Sequence, residues 1–458
     1  MSSKRKRPKP LRRARARWWL WVLLAVAAVV VAGVLGLRWV QRTPTGRAAF
    51  NVVEFRVRAL WDRWFGGREA EFVVEEGAGG AIGGLVRNED GQPLAGATVL
   101  VATVKGVVYQ AQSDELGTFR IADVPPGRYV PIACKWGYDD AVYQQGVDKL
   151  TEERTLVTVR SGQLAAGVDF TLHEHELWRP VLDEPPITDP PQTGYALFPA
   201  EVSASRVPIT FTNEGLIITT TLVYEPLGVE ITRPLPVFVA SYPSEPINWD
   251  RVSVALANEG YVVLATGPSP QRGLDIPGMG HDLLKAVAYL RDGQLTDHAD
   301  TEREGWLSGS FSSLILYQAL REEPGGVDAF IVVGGINDGF LFAQALYDQA
   351  SEIPPRYATF VQSMGRPDRY PQIYLSYSPA FHAAQLPPTM VVHTTADEVV
   401  PYNQSLRLDQ ALTAAGVTHE LFLYEDTTHY LDQVNVTPDT AELYRRLAAF
   451  LDRYVRKQ

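Results

Sequence analysis

From about Val207 to the C-terminus, short apolar runs alternate with segments of helical period, and no other feature restricts the possible folds of this chain so tightly. The runs read PLPVFVASYP, YVVLATG, AFIVVGG, TMVVHTTAD and HELFLYED. They are apolar at successive positions, not at alternate ones, so each strand must be covered on both faces. Helices are predicted over 249–258, 280–291 and 441–456. Buried strands separated by helices imply a doubly wound α/β domain with a mostly parallel sheet, assigned to residues 206–458. A hairpin, ITFTNEGLIITTTLVYEP, opens it, with its turn at Asn213 to Gly215.

In such a sheet, chemistry collects at the C-terminal ends of the strands, and three residues fall there in a meaningful order. The run GWLSGSFSS carries several serines. A sharp strand-to-helix elbow needs small residues two before and two after its exposed nucleophile. Centring it on Ser310 puts Ser308 and Ser312 at those places, whereas centring it on Ser312 would put Leu314 where only a small side chain fits. Asp397 follows the run TMVVHTTAD, and His429 follows HELFLYED. The order Ser, Asp, His at strand ends suits general-base activation of a serine. His429 would take the Ser310 proton, and Asp397 would fix its tautomer and stabilise the imidazolium. Asp338 and Asp426 are alternative partners for the base. His281, His298, His382, His393 and His419 read as structural or surface residues.

These residues carry a resemblance. From about Pro234 onward the chain resembles the α/β-hydrolase superfamily, and most of all its prolyl oligopeptidase and dienelactone-hydrolase-like branch. The resemblance rests on Ser310, on Tyr377-Ser378-Pro379 ahead of PPTMVVHTTADEVVP, and on YEDTTH. It implies hydrolysis of an ester or peptide through an acyl-serine, with no cofactor and no metal. The implied oxyanion donors are the backbone N–H groups of Tyr242 and Phe311. The chain departs from the pattern in two places. Ala240-Ser241 stands where the family carries His-Gly, and serines replace the elbow glycines. A second reading is therefore a non-catalytic extracytoplasmic binding or scaffold protein built on a hydrolase fold.

Upstream, residues 79–172 show short alternating β-prone runs between turn signals such as Asp90-Gly91 and Pro125-Pro126-Gly127. The segments GLVRNEDGQPLAGA and DELGTFRIADVPPGRY, followed by Gly137-Tyr138, resemble the carboxypeptidase regulatory-like family, which implies a transthyretin-like β-sandwich without catalytic duty. Tyr129, Trp136 and Tyr138 could form a carbohydrate platform, but packing is the better reading. His173 and His175 share a strand face yet have no third ligand in register, so they read as part of a solvated linker. That linker, residues 173–205, is Pro-rich and is expected to carry few contacts between the domains. Cys134 is the sole cysteine, which rules out an internal disulfide and any CxxC site.

The first 78 residues have a different character. Residues 18–37 form an uncharged apolar run flanked by tryptophans, long enough to cross a bilayer. Nine basic residues precede it, so residues 1–17 are expected in the cytoplasm and 18–40 in the membrane. Residues 43–78 would be a juxtamembrane connector and the remainder extracytoplasmic, which places a single-pass protein in the plasma membrane with the lipid bilayer as a partner. Of the 42 basic residues, eleven lie between Lys4 and Arg42, leaving 31 against all 53 acidic ones. A body so acidic repels phosphate backbones, which excludes nucleic acid as a partner.

Overall fold

The computed structural model describes residues 79–143, 156–195, 203–347, 364–425, 428–429 and 438–457. The expected cytoplasmic segment, membrane span and connector lie outside the described residues. Among the described residues, no helix is long and apolar enough to cross a membrane.

The first part of the chain is a β-domain. Strands β1 (Gly80–Asn88) and β4 (Thr118–Val124) pair antiparallel, and β10 (Phe170–Leu172) and β9 (Leu164–Ala165) pair parallel with β1. A second sheet runs in the order β3 (Val108–Gln112), β2 (Thr98–Ala102), β6 (Ile132–Cys134), β7 (Ala141–Val142). Alternate residues of both sheets, among them Ile82, Val86, Val99, Val101, Phe119, Ile121 and Phe170, share one core. Residues 127–134 form two short strands, not one. Pro131 has no N–H to give a ladder, and the chain changes partners there. On one side β5 (Gly127–Tyr129) pairs with β8 (Val157–Val159), and on the other β6 pairs with β2. Tyr129 is buried and donates its hydroxyl to the Pro125 carbonyl at 2.8 Å, so it packs as expected.

The second part is a nine-stranded sheet. Its strands are β11 (Ile187–Thr188), β12 (Ala204–Asn213), β13 (Leu216–Pro226), β14 (Leu235–Ser241), β15 (Val262–Thr266), β16 (Ala299–Gly309), β17 (Ala329–Val333), β18 (Thr389–Thr394) and β19 (His419–Tyr424). They lie in the order 11-12-13-15-14-16-17-18-19. The first four in that order pair antiparallel, and every pairing from β15 onward is parallel. The β12–β13 turn takes positive φ at both Glu214 (49°) and Gly215 (78°), which matches the right-handed twist of the two strands.

Both faces of this sheet are covered, as continuous apolar strands require. Val237 and Val239 of β14 face one core, and Phe238 and Ala240 face the other. On the first side lie helices α2 (Ile276–Arg291), α3 (Ser312–Glu322) and α6 (Asn403–Ala415). On the second lie α1 (Asp250–Asn258) and α7 (Pro438–Leu451). Helix α2 begins four residues before the expected start. Asp275 caps it by accepting the Gly278 N–H at 3.1 Å, and Pro277 occupies its first turn. Between the last strands lie α4 (Gly339–Tyr347) and α5 (Pro371–Ser376).

The segment expected to be a loose linker is held at many points. The Glu322 carboxylate accepts from His175 Nε2 at 2.9 Å and from the Trp178 N–H at 2.6 Å. Trp178 stacks on His281 at 4.2 Å, and β11 adds a strand to the sheet. Only His173 is solvated as expected, while the other ring nitrogen of His175 meets Asp139 at 2.7 Å. The β-domain also touches the part built on the nine-stranded sheet directly. Arg321 meets Asp140 at 3.4 Å, and Gln344 donates to the Gly106 carbonyl at 3.1 Å. The expectation of few crossing contacts is thus corrected, because charged and aromatic groups on both sides find partners across the boundary.

Gly106 tests this interface. Its φ is 89°, and a Cβ there would lie 2.5 Å from the Phe340 carbonyl oxygen. Gly167 has a similar φ of 76° with open space around it. Gly167→Ala is expected to cost about 1–2 kcal/mol from the left-handed backbone alone. Gly106→Ala should cost clearly more, because the backbone of α4 must also move. Urea unfolding midpoints of the two variants measure the difference, and equal losses would mean that the contact does not hold the domains together.

Candidate active site

Strand β16 runs between β14 and β17, with Ser241 in register with Ser308 and Gly309 with Val333. The chain then turns sharply into α3. Ser310 stands at this turn with φ 52°, a conformation that costs an ordinary side chain about 1–2 kcal/mol and is held only where its surroundings enforce it. The enforcing contacts are local. The Ser310 N–H donates to the Val333 carbonyl at 3.0 Å, and the Ser313 hydroxyl donates to the Ser310 carbonyl at 2.7 Å. The Ser312 hydroxyl accepts the Gly309 N–H at 3.2 Å and binds the Ser241 carbonyl at the end of β14. Ser308 and Ser312 are both fully buried. Bulk is excluded at both places, which agrees with the spacing argument that selected Ser310.

The other two residues arrive from neighbouring strand ends. Asp397 follows β18, and its Oδ1 accepts the N–H groups of Val399 and Val400 at 2.8 Å each. His429 follows β19, and its N–H donates to Glu398 at 3.3 Å. The structure joins all three side chains in one line. His429 Nδ1 lies 2.6 Å from Asp397 Oδ2, and its Nε2 lies 2.8 Å from Ser310 Oγ. With the proton on Nδ1 directed at the carboxylate, Nε2 presents a lone pair to the serine hydroxyl. Burial pushes the Asp397 carboxyl up. The hydrogen bonds and positive character of His393 and His429 outweigh this and hold it well below the usual carboxylate range. Gly334, at φ 57°, passes within Cβ reach of both Asp397 and His429, so the backbone of this loop forms one wall.

His393 is a part of this site that the sequence reading missed. It is 1% exposed, and its Nε2 lies 3.1 Å from Asp397 Oδ2 and 2.9 Å from the Val400 carbonyl. Its Nδ1 meets the Ser405 hydroxyl at 2.7 Å. The ring therefore meets the same carboxylate oxygen that His429 holds. A signal was present, since a histidine inside the buried run MVVHTT must find a polar partner.

One expectation changes and one alternative falls away. The Tyr242 N–H donates to the Thr266 carbonyl at 2.8 Å within the sheet, so it is not a donor for an oxyanion. The Tyr242 side chain is also committed, stacking on Trp249 and bonding Ser253 at 2.9 Å. Phe311 does stand directly after Ser310 at the N-terminus of α3. Asp338 does not face the base. It caps α4 by accepting the N–H groups of Phe340 and Leu341 at 3.0 Å, and it pairs with Arg407 at 3.2 Å. Asp426 lies outside the described residues. Three other histidines are bound elsewhere, His281 to Glu214, His298 to Glu225 and His419 to Asp409.

Comparison with known proteins bears on this geometry. Residues 280–458 match the prolyl oligopeptidase family, and residues 81–173 match the carboxypeptidase regulatory-like domain. No curated protein matches the chain. Among solved structures, an acylaminoacyl peptidase from Pyrococcus horikoshii is 15% identical, with 79% of this chain and 55% of that chain covered and a TM-score of 0.46. Carboxyl esterase 2 from Tuber melanosporum is 14% identical, covering 56% and 88%, with a TM-score of 0.46. A thermostable esterase from Pseudomonas putida is 18% identical, covering 54% and 82%, with a TM-score of 0.42. The chain thus spans only 55% of the peptidase it matches. The prolyl oligopeptidase family match thus covers Ser310, Asp397 and His429 together, and the carboxypeptidase regulatory-like match lies ahead of it in the chain.

Proposed function

We propose that the protein is a membrane-anchored, extracytoplasmic serine hydrolase that cleaves an ester or peptide bond through an acyl-serine at Ser310. The observation that carries this reading is the line from Ser310 Oγ to His429 Nε2 at 2.8 Å and from His429 Nδ1 to Asp397 at 2.6 Å, with Ser310 on a left-handed backbone. His429 takes the Ser310 proton as Oγ attacks the carbonyl carbon. The carbonyl oxygen becomes an oxyanion, and the Phe311 N–H and the N-terminal dipole of α3 stabilise it. His429 then returns the proton to the leaving alcohol or amine. Water, deprotonated by the same imidazole, releases the acid and restores Ser310. Asp397 stays ionised throughout, and His393 positions its carboxylate.

This assignment makes Ser310 the residue labelled by a fluorophosphonate probe. Ser310→Ala and His429→Ala should each lower turnover of a short-chain p-nitrophenyl ester by about 10⁶, since the members act as a unit. Asp397→Asn should cost about 10⁴ through the wrong histidine tautomer. His393→Ala should cost less than Asp397→Asn, because Asp397 keeps the N–H groups of Val399 and Val400. No labelling of a folded, unmodified chain across ester and peptide panels would favour the non-catalytic reading.

The elbow serines separate next. Restoring the usual glycine looks harmless from sequence alone, but the two positions differ in structure. Among the described residues the buried Ser308 Oγ has no hydrogen-bond partner, whereas Ser312 Oγ ties α3 to the ends of β14 and β16. Ser308→Ala should be neutral or slightly stabilising. Ser312→Gly should lose about 1–3 kcal/mol and reduce turnover, as expected for a broken buried hydrogen bond. Thermal melts and ester kinetics read both, and equal behaviour would remove the clamp from the account.

The anchoring rests on the apolar run at 18–37 and the nine basic residues before it. Protease added to intact cells is expected to digest everything after about residue 42. Full protection of the chain would reverse the topology.

A further inference from the structure

Three potential metal ligands from two domains converge where the β-domain meets the hydrolase domain. Cys134 ends β6, Asp140 immediately precedes β7, and His382 lies between two short turns after α5. One ligand atom from each lies within 4.8 Å of the other two. Cys134 is 1% and His382 5% exposed, and the Asp140 side chain is 12% exposed. These groups are poorly satisfied. Among the described residues, Asp140 Oδ1 and His382 Nε2 are buried with no hydrogen-bond partner, and so is the hydroxyl of Tyr317. The Tyr317 and Trp136 rings flank His382 at 6.4 and 5.9 Å. An orphaned buried polar group costs about 1–3 kcal/mol, and native proteins rarely leave two facing one point.

We propose that Cys134, Asp140 and His382 bind one divalent cation of the zinc class, which staples the β-domain to the hydrolase domain. A thiolate, an imidazole and a carboxylate oxygen form a donor set of the borderline softness that zinc prefers. Zinc bonds of about 2.0–2.3 Å place tetrahedral donors about 3.3–3.8 Å apart, so small side-chain rotations close the site, with water at the fourth position. The second shell is already in place. Arg321 holds Asp140 through Oδ2 at 3.4 Å, which leaves the unpartnered Oδ1 for the ion. Binding expels the Cys134 thiol proton to solvent as the metal–sulfur bond forms. A pocket of about 270 Å³ is lined by Trp136, which flanks His382, and by Arg321, which pairs with Asp140. Neither Ser310 nor His429 belongs to this cluster, so the ion has a structural duty, not a catalytic one.

The test uses the full chain, stripped with a chelator and titrated with Co²⁺ and then Zn²⁺. One Co²⁺ per chain should bind and produce a thiolate-to-cobalt charge-transfer band in the near ultraviolet. One Zn²⁺ should displace it and raise the unfolding midpoint. Cys134→Ser should abolish the band, and it and His382→Gln should each weaken zinc binding by about 100-fold or more. His419→Gln, whose ring is paired with Asp409 elsewhere, should leave binding unchanged. The titration of the unmodified chain needs no variant to fold. No charge-transfer band there, or zinc binding that survives Cys134→Ser undiminished, would overturn the proposal.

Discussion

The parallel ladders from β15 to β19 set the position of everything chemical in this protein. Their register brings Gly309 level with Val333, Val333 level with Val392, and Thr394 level with Tyr424. Strands that start together on one edge also end together on the other, so the residues just past those ends meet without any long-range search. A one-residue slip would turn each side chain to the opposite face. That slip is prevented by burial on both faces, since Val237 and Val239 serve one core while Phe238 and Ala240 serve the other. The site is thus precise because two hydrophobic cores, one on each side, hold the sheet beneath it.

On that base the local chemistry is assembled from opposed costs. Ser310 adopts a left-handed backbone that its side chain disfavours, and bonds from Val333 and Ser313 hold it there. Asp397 is a buried carboxylate, which would ordinarily be driven toward neutrality. Two backbone N–H groups and two histidines reverse that tendency. His393 adds a second ring nitrogen to Asp397 Oδ2, the oxygen that His429 also holds. A second ring fixes the acid so that the first can be fixed by it.

The β-domain is not a bead on a flexible string. His175, Trp178 and Arg179 all bond Glu322 at the end of α3, the helix that begins at the elbow. Arg321, the preceding residue, bonds Asp140 of the β-domain. The helix carrying the elbow at one end is therefore tied to the other domain at its far end. Docking of the β-domain is physically connected to the element that presents Ser310.

Much of this was legible in the residues. Continuous apolar strands between helices dictated a covered parallel sheet, because no other arrangement removes both strand faces from water. Small residues around Ser310, with Asp397 and His429 at later strand ends, singled out the three side chains by steric and positional requirements that hold for any chain entering such an elbow. The apolar run at 18–37 is likewise a statement of length and polarity that sequence alone can make. Tertiary structure decided what depends on hydrogen-bond partners distant in sequence. Thr266 takes the Tyr242 N–H, Asp338 caps a helix, His393 reaches the Asp397 carboxylate, and a segment that reads as linker is clamped by Glu322. Periodicity and spacing report which face a residue occupies. They do not report which acceptor its hydrogen will find, because that is settled only when separate strands and helices pack together.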